Sequence, residues 1–147
     1  MDLSDHSVPL LLDILVRAAA DEIDAALAEH RYGDLTRAQG NVFATIDPDG
    51  SRVVEMAERA RMTKQGMGQL VAALEAQGYV TRTDDPTDAR AKLVVLTRKG
   101  EAAAKVGIGA FASVEAAYRQ HLGERRFNEL RRALEDLCTT FGTAHIR

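Results

Sequence analysis

The sequence predicts a mainly α-helical chain that carries one small β-hairpin. Apolar residues recur at helical spacing along most of the 147 residues, whereas the stretch 79–96 is rich in β-formers around a polar turn. Two short helical segments separated by a few residues precede that stretch. Apolar residues make up 46% of the chain, enough for a real core, while aromatics are 5% and tryptophan is absent. Such a core is mostly aliphatic with much alanine, which favours helix.

Pro9 suits the first turn of a helix, and Leu11, Ile14, Leu15, Ala18, Ile23 and Leu27 follow at helical spacing, so a first helix is expected over 9–30. Gly33 and Asp34 break it. Thr36 and Gln39 have capping-box spacing and start a second helix with Val42, Phe43 and Ile46 on its apolar side. Asp47-Pro48-Asp49-Gly50 is a turn signal, with a short strand over Ser51–Val53 expected after it. A short helix over Val54–Ala60 places Met56, Ala57 and Ala60 inward.

Thr63 caps the next helix, Lys64 to Gln77, whose apolar face is Met67, Leu70, Val71 and Leu74; Gly78 stops it. This pair of short helices, the second longer, is the helix-turn-helix pattern. Strands at Tyr79–Thr83 and Ala91–Leu96 flank Asp84–Arg90, a polar turn expected to stay out of any core, and together make a wing. Thr97 caps a long alanine-rich helix, about 98–121, with Glu101 in its first turn. After Gly123 a last helix over about 124–144 carries Phe127, Leu130, Leu134, Leu137 and Phe141 as a narrow seam suited to helix–helix packing.

The fold expected is therefore a winged helix-turn-helix at 34–97 within a single chain, 1–147, with further helices in 8–32 and 98–147.

Net charge is −3, which by itself argues against a nucleic-acid partner, but the charge is segregated. Residues 1–50 hold three basic and ten acidic side chains, residues 51–100 nine and six, and residues 101–147 seven and six. A duplex is attracted to one part of such a chain and repelled by another.

Four segments carry a family resemblance. Leu35-Thr36-Arg37-Ala38-Gln39, Leu74-Glu75-Ala76-Gln77-Gly78-Tyr79-Val80, Asp85-Pro86-Thr87-Asp88-Ala89-Arg90 and Leu93-Val94-Val95-Leu96-Thr97 with Gly100 occur in one order and spacing. Over these residues the chain resembles the MarR family, the multiple antibiotic resistance regulators. The resemblance implies a winged helix-turn-helix with N- and C-terminal dimerisation helices: a DNA-binding lobe at 34–97, a helical dimerisation region at 8–32 and 98–147 that interlocks in obligate dimers, and often repression relieved by small aromatic anions bound between the dimer helices and the lobe.

The helix face opposite Met67, Leu70, Val71 and Leu74 presents Lys64, Gln65, Gly68 and Gln69. Gln65 and Gln69 have the chemistry to bond adenine bidentately, and Lys64 to reach guanine or phosphate. The family often has Ser, Thr or Arg where this chain has Gly66, Gly68 and Gln69, which leaves individual base contacts open. Arg90 at the wing tip is the expected minor-groove reader, oriented by a carboxylate–guanidinium pair with Asp88. Arg82 and Lys92 on the flanking strands are candidate phosphate contacts, and Arg59 and Arg61 add to them. Leu11, Ile14 and Leu15 join Phe127, Leu130, Leu134, Leu137 and Phe141 as the expected dimer interface.

His30 and Arg31, at the end of the first helix, are candidates for meeting an anionic effector. Cys138 reads as a buried, inert thiol. His6, His30, His121 and His145 form no i,i+4 pair, so no metal site is expected, and no cofactor motif is present. The run Val8–Leu12 is too short to span a bilayer, no signal-peptide pattern opens the chain, and the cytoplasm is the default compartment. No phosphate loop or nucleophile elbow points to an enzyme. The remaining rival is a winged-helix module whose wing binds another protein.

Overall fold

The structure, a computed structural model, describes residues 5–142. It contains α1 (Val8–Glu29), α2 (Arg37–Phe43), α3 (Val53–Arg59), α4 (Lys64–Ala76), β1 (Val80–Asp85), β2 (Asp88–Leu96), α5 (Arg98–Leu122) and α6 (Glu124–Leu137), followed by a π-helical turn, Cys138–Gly142. The chain forms two compact units, Met1–Ala110 and Phe111–Arg147.

Local chemistry sets most of the helix ends. The Thr36 hydroxyl accepts from the Gln39 amide (3.2 Å) while the Gln39 side chain accepts from the Thr36 amide (2.9 Å), a complete capping box. The Thr63 hydroxyl accepts from the Gly66 amide and starts α4. α1, α3 and α4 all stop in the same way, with a left-handed residue just past the cap: Arg31, Arg61 and Gly78. In each, the next amide bonds back to the third-last helical carbonyl, Tyr32 to Leu27, Met62 to Ala57 and Tyr79 to Leu74. Only Gly78 announces this in the sequence; an arginine at positive φ costs roughly 1–2 kcal/mol and is held by the surrounding turn.

The core of the first unit packs Val42 of α2, Met56 and Ala57 of α3, Met67, Val71 and Leu74 of α4, Val80 and Val94 of the strands, and Ala103 of α5 around Tyr79. Tyr79 has no solvent exposure. Its ring stands edge-on to Tyr32 and Phe43 with centroids 6.2 and 6.1 Å away, and Lys99 Nζ lies 4.0 Å above it. Its hydroxyl donates to Asp34, and burial together with that carboxylate raises its pKa far above the ordinary 10. Gln77 ties the end of α4 into the same region, accepting from buried Gln39 (2.7 Å) and donating to the Asp34 carbonyl (3.0 Å).

The structure departs from several sequence expectations. The strand at Ser51–Val53 is a single bridge, Ser51 to Val94, because Arg52 already serves as the N-cap of α3 and Val53 begins the helix. The hairpin strands extend into the stretch expected to be a loop: β1 reaches Asp85 and β2 begins at Asp88. Arg90 therefore lies on β2 rather than in a tip loop. Asp85 is buried, contrary to the expectation for that polar turn, because it is enclosed by its own hydrogen bonds, described below.

In the second unit, Gly123 takes φ +76° between α5 and α6, and Phe127 is buried with the Arg119 guanidinium 4.2 Å over its ring. The last helix stops being α-helical at Leu137, and its expected end at 143–144 lies outside the described residues, as does His145. Cys138, the first residue of the π-helical turn, is exposed rather than buried.

Candidate nucleic-acid interface

α4 is two-sided. Met67, Val71 and Leu74 face the core, with Leu70 packed against it, while Lys64, Gln65 and Gln69 are exposed and Gly68 is partly exposed between them. A Cβ on Gly68 meets nothing within 4 Å, so this face has an open notch at its centre. Gly66 is tighter, since a Cβ there stands 3.1 Å from the Thr63 hydroxyl that caps the helix. Arg61, exposed and at φ 53°, forms the turn between α3 and α4.

The wing is a two-stranded antiparallel hairpin, paired from Val80–Leu96 to Asp84–Lys92, with an irregularity before Asp85–Asp88. That irregularity is where the hairpin is anchored. Asp85 Oδ1 accepts from both the amide (2.8 Å) and the hydroxyl (2.6 Å) of Thr87, an Asx turn across Pro86. Its other oxygen accepts from Arg52 Nε (2.7 Å). Hydrogen bonds from Thr87, then from Arg52, lower the Asp85 pKa from the ordinary 3.8 to about 2. Nothing in the sequence links Arg52 to the wing, because the two lie more than thirty positions apart.

The expected pairing of Asp88 with the Arg90 guanidinium is not what the structure contains. Asp88 Oδ1 accepts from the Arg90 backbone amide (3.0 Å), and its other oxygen faces Arg52 at 3.9 Å. Asp88 thus fixes the backbone of Arg90 and leaves the guanidinium exposed.

The other expected basic contacts differ in their availability. Arg82 pairs with Glu75 (3.1 Å), and Lys92 pairs with Asp84 across the strands. Arg59 reaches Asp47 (2.6 Å), the Thr45 carbonyl (2.8 Å) and the Ser51 hydroxyl (3.2 Å), so it braces the α2–α3 turn. Among the described residues, Lys64 and Arg90 have no acidic side chain within ion-pair distance.

His30 caps α1, its Nδ1 donating to the Ala26 carbonyl (2.8 Å), and Arg31 follows it exposed. A shallow hollow between α2 and α3, bordered by Ala38, Asn41, Thr45, Arg59 and Met62, has its one cation engaged by Asp47. No group of metal-ligating side chains occurs among the described residues, and none of their helices is long and apolar enough to cross a membrane.

Of the expected interface residues outside the lobe, Phe127 is already covered by Arg119. Leu15, Leu130, Leu137 and Phe141 are exposed, whereas Leu11, Ile14 and Leu134 are half-buried.

Comparison with known proteins agrees with this geometry. Residues 33–91 match the profile of the MarR family. Over 84 residues the chain is 38% identical to the transcriptional regulator HosA of Escherichia coli O111:H-; the match takes in 55% of this chain and 62% of that protein, less than two thirds of its length. Among solved structures, MepR of S. aureus in complex with DNA has a TM-score of 0.74 at 19% identity, covering 93% of this chain and 100% of that one. CouR of Rhodococcus jostii RHA1 bound to p-coumaroyl-CoA has a TM-score of 0.70 at 22% identity, covering 96% of each chain. The likeness to these structures is one of fold.

Proposed function

We propose that the chain is a MarR-family transcription regulator that binds duplex DNA through α4 and the wing. The observation that carries this reading is the distribution of paired and unpaired cations in the winged lobe. Most of its basic side chains are held by acids, whereas Lys64 at the start of α4 and Arg90 on the wing stand in solvent without an acidic partner among the described residues. The start of a recognition helix meets base edges, and a wing arginine meets a minor groove. Gln65, Gly68 and Gln69 supply the base-reading face, with Arg82 and Lys92 as secondary phosphate contacts once their partners yield. That MepR, a protein of the same fold, has been solved in complex with DNA supports a DNA partner.

The functional unit is a homodimer on a pseudopalindromic site. Large apolar side chains left in solvent concentrate on the terminal helices, including Val16 of α1, Ile108 and Phe111 of α5, and Phe141, each more than half exposed. Exposed apolar surface of this kind favours association with another copy. The dimer acts as a repressor released by a small aromatic or anionic effector; that CouR, a protein of the same fold, binds p-coumaroyl-CoA supports a ligand of that chemistry.

Fluorescence anisotropy with a labelled duplex at rising salt tests the reading. Binding that weakens steeply and log-linearly with salt is expected, the signature of phosphate contacts and counterion release. A chain that ignores duplex DNA at low salt, or binds it without salt dependence, contradicts the proposal.

A further inference from the structure

We infer that Arg52 is a positioning residue for DNA binding: it straps the wing to the start of α3 and so sets where Arg90 is presented. This rests on the DNA-binding reading above. Arg52 is the N-cap residue of α3, a position usually given to a short side chain that bonds the helix amides. Here its side chain leaves the helix and crosses to the wing. Nε donates to Asp85 Oδ2 at 2.7 Å, and Nη2 lies 3.4 Å from the Thr87 hydroxyl and 3.9 Å from Asp88 Oδ2.

The Asp85 side chain keeps only 5% of its surface exposed, so the contact is a fixed one and not a solvated surface pair. One guanidinium thus gathers the residues that form the turn of the hairpin. Asp88 passes the constraint on, since its second oxygen holds the Arg90 amide. A two-stranded hairpin is marginally stable alone, and the strap supplies an anchor near its turn end, where pairing becomes irregular.

A double-mutant cycle with the full chain, read on a duplex recovered by selection from a random-sequence pool, tests the role. Arg52→Ala is expected to weaken binding about tenfold, and to add less than about twofold when Arg90 is already alanine. Arg52→Lys, which cannot bridge the same acceptors, is expected to rescue little. Asp85→Ala separates positioning from simple charge. Removing a negative charge near phosphates strengthens binding on electrostatic grounds alone, whereas loss of the strap weakens it.

A second readout needs no DNA: amide hydrogen exchange in 84–90 is expected to quicken in Arg52→Ala while α4 stays protected. Wing exchange that does not change, or an Arg52→Ala effect that persists undiminished beside Arg90→Ala, overturns the positioning role. If Arg90→Ala itself binds as the parent does, the fault lies in the reading of the wing as a DNA contact, and the inference falls with it.

Discussion

Gly100 of α5 lies against the carbonyl of Tyr79 so closely that a Cβ on it would stand 2.1 Å from that oxygen. The contact joins the first turn of α5 to the residue at the centre of the lobe's core. Thr97 completes it, its amide donating to the same carbonyl (3.0 Å) and its hydroxyl accepting from the Gly100 amide (3.1 Å). Backbone meets backbone here, so no side chain can move aside. Gly100→Ala is therefore expected to destabilise the fold by about 1–3 kcal/mol, or more if α5 cannot shift, measured by urea denaturation. Unchanged stability would show that α5 is not seated on Tyr79.

Gly68 gives the opposite sign. It lies in a helix with open space around it, so alanine there is expected to stabilise α4 by up to about 1 kcal/mol. The same methyl group fills the notch in the proposed base-reading face and is expected to weaken DNA binding. A more stable variant with full affinity would remove Gly68 from the interface.

Arg90→Ala is expected to lower DNA affinity by about 1–3 kcal/mol while leaving the melting temperature unchanged, because the guanidinium has no acidic partner within ion-pair distance among the described residues. Arg82→Ala and Lys92→Ala are expected to cost less, since both cations already answer to Glu75 and Asp84. Parallel anisotropy titrations rank the three, and equal losses would contradict the distinction between paired and unpaired cations.

Acid should act on the wing through Asp85. Its folded pKa of about 2 lies below the ordinary 3.8, so its contribution to stability is complete above the higher value and disappears as pH falls through the lower one. The stability difference between the parent chain and Asp85→Asn is expected to shrink from about pH 5 down to about pH 2 in urea titrations. A difference that stays constant with pH would mean that the carboxylate is not held by Thr87 and Arg52.

What the sequence makes legible here is mostly local. Thr36 with Gln39, Thr63, and Gly78 each act on neighbours within one turn, so their spacing alone places the start of α2 and both ends of α4. The apolar face of α4 follows from periodicity, and the structure buries Met67, Val71 and Leu74. What stays hidden is contact between distant positions. Tyr79 reads as a strand residue yet becomes the core's centre through Tyr32, Phe43 and Asp34. Asp85 reads as part of an exposed turn yet is buried by Arg52, and Arg59 reads as a phosphate contact yet braces Asp47. Charged side chains look alike in sequence whether they meet solvent, a partner or each other, and only geometry sorts them.

The most direct measurement of the proposed mechanism is selection of bound fragments from a random-sequence duplex pool, with the stoichiometry of the winning complex determined by sedimentation. Two copies of the chain on a two-fold-symmetric site, its half-sites about one helical turn or ~34 Å apart, are the expected result. No enrichment of any sequence, or a single copy on an unsymmetrical site, would contradict the account.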